Sequence, residues 1–140
     1  MKISTKGRYA LRLMIDIAIN GGIDGYVSLK DVSKRQEISV KYLEQIVSIM
    51  NRTGLLISAR GASGGYRLAK KPSEYTAGEI LRAAEGSLAP ISCVQSGFED
   101  CNRMGKCAML PFWQGYYNAV NDYVDSVTLE KLANDEKNAK

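Results

Sequence analysis

Residues 38–86 decide the fold: ISVKYLEQIVSIMNRTGLLISARGASGGYRLAKKPSEYTAGEILRAAEG. The first part predicts a helix that begins after Ser39, a favourable N-cap, and ends before Gly54, which suits a left-handed residue. Its apolar residues recur at helical spacing and are expected to face a core. They are Val40, Leu43, Ile46, Val47 and Met50. The opposite face carries Lys41, Tyr42, Glu44, Gln45 and Ser48.

The second part of this stretch predicts a hairpin and a further helix. Two short strands, residues 55–60 and 66–68, flank a flexible Gly-Ala-Ser-Gly-Gly turn at residues 61–65. Thr76 and Glu79 then form a capping box, which begins a helix that ends at Gly86.

Two more helices are predicted upstream. Residues 6–20 are mostly apolar apart from one polar stripe, so this helix is expected to be largely buried. Arg12 and Asp16 can pair along that stripe, four residues apart. Ser28 caps a short second helix that ends near Gln36. A short helix, a tight turn, a second helix and a hairpin are the order of a winged helix-turn-helix.

The downstream part predicts a long helix at residues 111–127 and a short one, capped by Thr128, at residues 129–134. The charged tail from Asp135 is expected to fray. Apolar residues of the long helix form a heptad seam, which favours a homodimer interface, although packing within one subunit also explains it. The seam comprises Trp113, Tyr116, Val120, Tyr123 and Val127, widened by Phe112, Tyr117 and Val124. The predicted fold class is mainly α with a small β-hairpin wing, a winged helix-turn-helix plus a long C-terminal dimerisation helix.

The charge is unevenly distributed along the 140 residues. Residues 1–71 carry 13 Lys/Arg against 5 Asp/Glu, a net +8, whereas residues 72–140 carry 6 against 10, a net −4. A basic half is typical of a nucleic-acid-binding protein, although a chance excess on a solvated surface also explains the charge taken alone.

Other features of the composition exclude classes of protein. The apolar run at residues 13–19 is interrupted by Asp16 and lacks the small-residue cleavage site of a secretory signal. It is also too short to span a membrane, and the sequence therefore predicts a cytoplasmic protein. The chain has no histidine, which excludes every mechanism that needs an imidazole and weakens an enzyme interpretation.

The exposed helix face and the hairpin carry the groups that recognition of double-stranded DNA needs. One α-helix fits the major groove, and the face with Lys41, Tyr42, Glu44 and Gln45 offers donors and acceptors to base edges. A thin tip of Gly, Ala and Ser beside Arg60 suits the minor groove. The residues predicted to contact phosphates are Lys2, Lys6, Arg8 and Lys30. Each feature alone also fits the solvent-exposed face of an ordinary helix or an ordinary hairpin turn, but their order within a basic half favours DNA binding.

All three cysteines lie within fifteen residues, in the pattern Cys93-x7-Cys101-x5-Cys107. In a reduced cytoplasm, three neighbouring thiolates are ligands for an iron–sulfur cluster or for zinc. A disulfide with one free thiol, or cysteines that bind nothing, is the alternative.

The chain resembles a known family on the residues just quoted and on MKISTKGRYAL at residues 1–11. These stretches, above all YLEQ and RGASGGYRL, are similar to the Rrf2 family of bacterial transcription regulators, which includes the IscR, NsrR and CymR proteins. The resemblance runs from Met1 to about Leu132 and implies a homodimer and a palindromic promoter site. The family's recognition-helix positions fall on Ser39, Lys41, Tyr42, Glu44 and Gln45. Its wing positions fall on Arg60, Ser63 and Gly64.

The resemblance also bears on the cysteines, because iron–sulfur members of this family carry three in this loop and change their DNA binding when the cluster changes. The sequence departs from their pattern in its longer first spacer and at the fourth ligand. The position of a histidine ligand is Leu110 here, and that of an acidic ligand near the start of the partner chain is Arg8. Glu99, Asp100, solvent or a small thiol are the candidates for the fourth ligand.

The sequence therefore predicts a DNA-binding transcription regulator that is not an enzyme and senses redox, nitric oxide or iron–sulfur status through a cluster. A regulator of the same fold without a cluster, controlled by a partner protein or small molecule as CymR-type members are, is the alternative. An electron carrier is less favoured, because most such clusters use four cysteines. We divide the chain into a DNA-binding domain at residues 1–86, a sensor loop at residues 87–110, and a dimerisation helix with its tail at residues 111–140.

Overall fold

The structure, a computed structural model, describes residues 2–95 and 105–139. These residues form six α-helices and one antiparallel hairpin. The helices are α1 (Thr5–Asn20), α2 (Leu29–Gln36), α3 (Val40–Arg52), α4 (Ala77–Glu85), α5 (Leu110–Ser126) and α6 (Leu129–Asn138). The strands are β1 (Leu56–Ala59) and β2 (Gly65–Leu68), and short 3-10 helices occur at Pro72–Glu74 and Ser92–Val94. The order α2, α3, β1, β2 is the predicted helix-turn-helix followed by a wing.

Side-chain caps set where the helices begin. The hydroxyls of Ser28, Ser39, Thr76 and Thr128 each accept a hydrogen bond from a backbone N–H three residues later, as predicted from their positions. The reciprocal half of the predicted capping box at Thr76 is wrong, because the Glu79 carboxylate pairs instead with Lys70 Nζ at 3.0 Å.

The core surrounds α1, which packs against α2, α3, α4 and α6. Leu13, Met14 and Ile17 of α1 have no exposed surface, and apolar residues of the other elements close over them. Full burial of each such side chain stabilises the fold by about 1.5–3 kcal/mol. The predicted inner face of α3 is confirmed for Leu43, Ile46, Val47 and Met50.

Two sequence predictions fail at the ends of helices. Val40 is 38% exposed and not in the core, because it lies in the first turn of α3, beyond the end of the buried stripe. The tail does not fray from Asp135, because α6 continues to Asn138 and packs against α1 through buried Leu129 and Ala133.

Short backbone links join the C-terminal helices to the N-terminal part. Ala77 donates its N–H to the carbonyl of Val127 at 2.8 Å, and Leu129 donates to the carbonyl of Tyr75 at 3.0 Å. None of the helices within residues 2–95 and 105–139 is long and apolar enough to cross a membrane.

Candidate nucleic-acid interface

A tight turn sets α3 against α2. Glu37 adopts the left-handed conformation, with φ at 56°, and donates its N–H to the Ser33 carbonyl at 2.9 Å. Ile38 is buried beneath the turn, and the hydroxyl of Ser39 then caps α3 at 3.1 Å from the Tyr42 nitrogen. The turn therefore ends α2 and begins α3 within three residues.

The outward face of α3 is polar. Lys41, Glu44 and Gln45 are exposed, as is Ser48 one turn further along. Arg52, four residues beyond Ser48, is also exposed and extends the same face by another turn, although it was not among the residues predicted from the sequence. These side chains offer positive, negative and amide groups to a ligand outside the protein.

Tyr42 is placed differently from its neighbours on α3. Its ring is half-buried and packs edge to face against Tyr9 of α1, with ring centroids 5.6 Å apart. The guanidinium of Arg12 lies 5.3 Å from the centroid of the Tyr9 ring. Tyr42 therefore joins α3 to α1 while only part of its surface faces outward.

The wing, which we define as residues 56–68, projects an exposed tip. Leu56 pairs with Leu68 at its base and Ala59 pairs with Gly65 below the tip. Arg60, just before the predicted turn, and Ser63, within it, are both exposed.

Glycine shapes the tip of the wing. Gly65 has a φ of 143°, in the region that favours glycine, and a Cβ there would collide with the backbone of Val27. A Cβ on Gly64 would collide with the carbonyl oxygen of Ala59. The close turn thus explains Gly64 without any contact to DNA.

The wing is held along one edge by the loop between α1 and α2. Val27 and Tyr66 exchange two backbone hydrogen bonds, of 2.8 and 2.9 Å. Arg67 points toward this loop, since its Nε donates to the Tyr26 hydroxyl at 3.2 Å. The side chain of Arg67 is therefore bonded to this loop at the edge of the wing, whereas Arg60 lies at the exposed tip.

The predicted phosphate contacts lie on three short segments of the N-terminal part. Lys2 precedes α1, Lys6 and Arg8 lie in its first turn, and Lys30 lies in the first turn of α2. All four are exposed. Arg8 donates to the Thr5 hydroxyl at 3.1 Å. Each can therefore meet a charged partner from solvent.

A buried carboxylate ties α2 to α1 through partners that differ from the one predicted from the sequence. Asp16 is 2% exposed and accepts from Arg35 Nε at 3.0 Å and from Arg35 Nη2 at 2.8 Å. Gln36 Nε2 adds a third bond at 3.0 Å. Arg12 does not pair with Asp16 as predicted but donates to the side chain and carbonyl of Gln36. The one acid within the apolar run at residues 13–19 was the signal that could have shown this network.

The two cysteines that the structure describes lie on segments next to α5. Cys93 belongs to the 3-10 helix Ser92–Val94, which packs against α5, and Cys107 lies just before that helix. Both are half-buried free thiols. Cys101, Glu99 and Asp100 lie outside the described residues, and no group of three or more metal-binding side chains occurs among those described. Thiols suit iron and zinc, so these two fit either metal as part of a larger set.

An ion pair joins α5 to α4. Arg82 donates to both carboxylate oxygens of Asp125 at 2.8 Å and to the Asn121 side chain at 3.0 Å. The hydrogen bond from Arg82 holds the pKa of Asp125 below its usual value. A Cβ on Gly78 would collide with the Asp125 carboxylate, so the helices approach closely here. The helix that follows the cysteines is thus fastened directly to α4 in the N-terminal part of the fold.

Comparison with known proteins gives a consistent answer over almost the whole chain. The family model of Rrf2, described as an iron-dependent transcriptional regulator, matches residues 3–135. The chain is 35% identical to the HTH-type transcriptional regulator IscR of Pectobacterium atrosepticum over 137 residues, covering 98% of this chain and 82% of that protein. It is 41% identical to the HTH-type transcriptional regulator CymR of Bacillus subtilis over 133 residues, covering 95% of this chain and 90% of that protein.

The solved structure of CymR, the global cysteine regulator of B. subtilis, matches with a TM-score of 0.76 and 40% identity. The match covers 96% of this chain and 97% of that chain. These relatives are transcription regulators and not enzymes.

Proposed function

The chain belongs to the Rrf2 family of DNA-binding transcription regulators, and we propose that it acts as a homodimer on a palindromic promoter site. We further propose that it senses redox, nitric oxide or iron–sulfur status through a cluster bound by Cys93, Cys101 and Cys107. The observation that carries the DNA part is the exposed polar face of α3 beside an exposed, glycine-shaped wing, both within the basic half of the chain. We also propose a cytoplasmic location, because promoter DNA would be its target.

In this proposal α3 enters the major groove. Gln45 can bind adenine through both the oxygen and the nitrogen of its side-chain amide, and Glu44 can accept a hydrogen bond from cytosine N4. Lys41 and Arg52 extend the same exposed face, and Ser39 lies at its start. The edge contact of Tyr42 with Tyr9 keeps its ring beside this face and steadies the helix.

The wing and the basic residues near α1 and α2 complete the proposed contacts. Arg60 at the wing tip suits the negative potential of a narrow minor groove, with Ser63 and Gly64 beside it. Arg8 and Lys30 are exposed and would bind phosphates, which position the protein without reading sequence.

The homodimer is supported by the apolar surface of α5. In the single chain this helix has no buried residue. Three of its aromatic side chains are largely exposed: Phe112 is 57% exposed, Tyr116 is 42% exposed and Tyr123 is 70% exposed. The rings of Phe112, Trp113 and Tyr116 lie in consecutive edge contacts, with centroids 5.0 and 6.0 Å apart. A continuous aromatic surface of this kind is typical of an interface between subunits, and a two-fold axis fits a palindrome.

The cluster part depends on the cysteines. Bound there, an iron–sulfur cluster supplies iron atoms that react with oxidants and nitric oxide. Cys93 would hold its 3-10 helix against α5, and Cys107 would hold the start of α5. Since Arg82 fastens α5 to α4, a change at the cysteines can reach the DNA-binding part through this ion pair.

A CymR-type regulator without a cluster is the second candidate, because CymR matches the chain as closely as IscR does. In that case a partner protein or small molecule supplies the signal. A cluster gives a visible absorbance band, which a regulator of this second type lacks.

The test is anaerobic purification of the parent protein and of Cys101→Ala, with absorbance spectra and analysis of iron, sulfide and zinc. We expect iron and sulfide to collapse in Cys101→Ala and its DNA affinity to approach that of the metal-free parent. Ser92→Ala is the control, since Ser92 is an exposed neighbour of Cys93 and is not a ligand in this proposal. A parent protein that takes up no iron but binds DNA well would replace the cluster with the CymR-type mechanism.

A further inference from the structure

Tyr75 joins the base of the wing to the rest of the fold. It has no exposed surface, and it follows the 3-10 helix Pro72–Glu74, just before α4. Burial raises the pKa of its phenol, so the hydroxyl keeps its proton and can donate it.

The hydroxyl of Tyr75 makes three hydrogen bonds, all to backbone. It donates to the Leu55 carbonyl at 2.6 Å and accepts from the nitrogens of Ala69 at 2.8 Å and Lys70 at 3.3 Å. One proton and two lone pairs are all that a hydroxyl offers, so its capacity is fully used. The Nζ of Lys70 lies 4.8 Å from the centre of the ring and covers it.

These three backbone groups lie at the two ends of the wing, one before β1 and two after β2. Leu55 directly precedes β1, and Ala69 directly follows β2, one step beyond the last strand pair of Leu56 with Leu68. A two-stranded hairpin alone is marginally stable, so its position depends on what holds its base. The Tyr75 hydroxyl contacts both ends at once, whereas each of the other backbone contacts to the wing holds one strand. These contacts run from Leu55 to the Met50 carbonyl, from Leu68 to the Gly22 carbonyl, and between Val27 and Tyr66.

The backbone of Tyr75 faces the C-terminal helices. Its carbonyl accepts from Leu129 at the start of α6, and the adjacent Thr76 lies in a β-bridge with Thr128. One residue therefore contacts the wing through its side chain and the junction of α5 and α6 through its main chain.

We propose that Tyr75 is a positioning residue, whose hydroxyl sets the wing at the height and angle needed to contact DNA. The inference rests on the proposed contact between the wing and DNA. Removal of the hydroxyl leaves the Leu55 carbonyl and the Ala69 nitrogen without their partner, so the wing base loosens while the buried ring stays.

The test is a double-mutant cycle between Tyr75→Phe and a short wing, in which residues 60–64 are replaced by Asn-Gly, a favourable two-residue hairpin turn. The probe is a DNA duplex selected from a random pool by the parent protein, and affinity is measured at fixed salt. Tyr75→Phe should keep the parent's circular dichroism and oligomeric mass and bind the duplex about three- to tenfold more weakly. In the short-wing protein the same change should have no effect on affinity.

Each other result overturns the inference. A loss of affinity that is equal in both backgrounds, or absent in the parent, shows that the hydroxyl does not act through the wing. If the short-wing protein binds as tightly as the parent, the proposed wing contact is wrong and the Tyr75 inference fails with it. If the short wing weakens binding but Tyr75→Phe does not, only the Tyr75 inference fails. Ile80→Val, a buried change in α4, is the control for stability, and an equal loss of affinity there would mean that Tyr75→Phe acts through general destabilisation.

Discussion

Helices α1 and α5 have nearly the same length, 16 and 17 residues, and both carry many apolar side chains. Six residues of α1 are buried, whereas α5 has no buried residue in the single chain. The exposure of an aspartate also differs between the two helices, since the side chain of Asp16 of α1 is 2% exposed and that of Asp125 of α5 is 45% exposed. The comparison teaches that an apolar helix face indicates a surface to be covered. It does not indicate whether residues of the same chain or of a second chain cover it.

The largest effect is expected from placing charge on the apolar surface of α5. Tyr116→Glu combined with Val120→Glu should convert a homodimer to a monomer, because two carboxylates per helix would face each other without solvent. The measurement is mass by light scattering, with circular dichroism to show that the monomer is folded. Gln114→Glu, an exposed change on the same helix but off the seam, should leave the dimer intact. A dimeric double variant would show that α5 is not the interface.

The second prediction compares the two acids directly. Asp16→Ala should lower the free energy of unfolding by about 2–3 kcal/mol, because it removes the hydrogen bonds that this buried carboxylate accepts from Arg35, Gln36 and Asn20. Asp125→Ala, the matched change on α5, should cost about 0–1 kcal/mol, since its ion pair is largely in solvent. Denaturant titrations of both variants measure the difference, and equal losses would remove the distinction between the helices.

The third prediction concerns the DNA contacts of the N-terminal part. Arg60→Ala should weaken binding to a selected duplex by about 1–3 kcal/mol if it makes a specific groove contact. Gln45→Ala should relax the preference for one base, which a comparison of single-base variants of the duplex would measure. A Gln45→Ala protein that loses affinity equally for every duplex, or not at all, would contradict the placement of α3 in the major groove.

The smallest effect is expected from pH at the joint of α4 and α5. The hydrogen bond from Arg82 lowers the pKa of Asp125 from its ordinary value of 3.8, so the ion pair stabilises the fold above that pH and loses its effect as the pH falls further. The difference in melting temperature between the parent and Asp125→Asn should therefore be present at neutral pH and shrink below about pH 4. A difference that is unchanged in acid would show that the ion pair contributes nothing.

Local signals in the sequence predicted the helix starts well. Ser39, Thr76 and Thr128 cap the helices at the expected places, because a cap needs only a hydroxyl and an N–H three residues later. The hairpin was also predicted, although the first strand, Leu56–Ala59, is shorter than expected and the second, Gly65–Leu68, is one residue longer. The arrangement of the DNA contacts stays a prediction, because it depends on a partner as well as on the chain.

Contacts between distant residues were decided only by the tertiary structure. The helical pattern placed Val40 in the core and Asp16 beside Arg12, yet Val40 lies beyond the core and Asp16 pairs with Arg35, nineteen residues away. No pattern in the sequence predicted the role of Tyr75, because its hydroxyl joins backbone groups that meet only when the wing has folded over it. Caps and turns depend on neighbours in the chain, so sequence suffices for them, whereas burial and pairing depend on which elements come together in space.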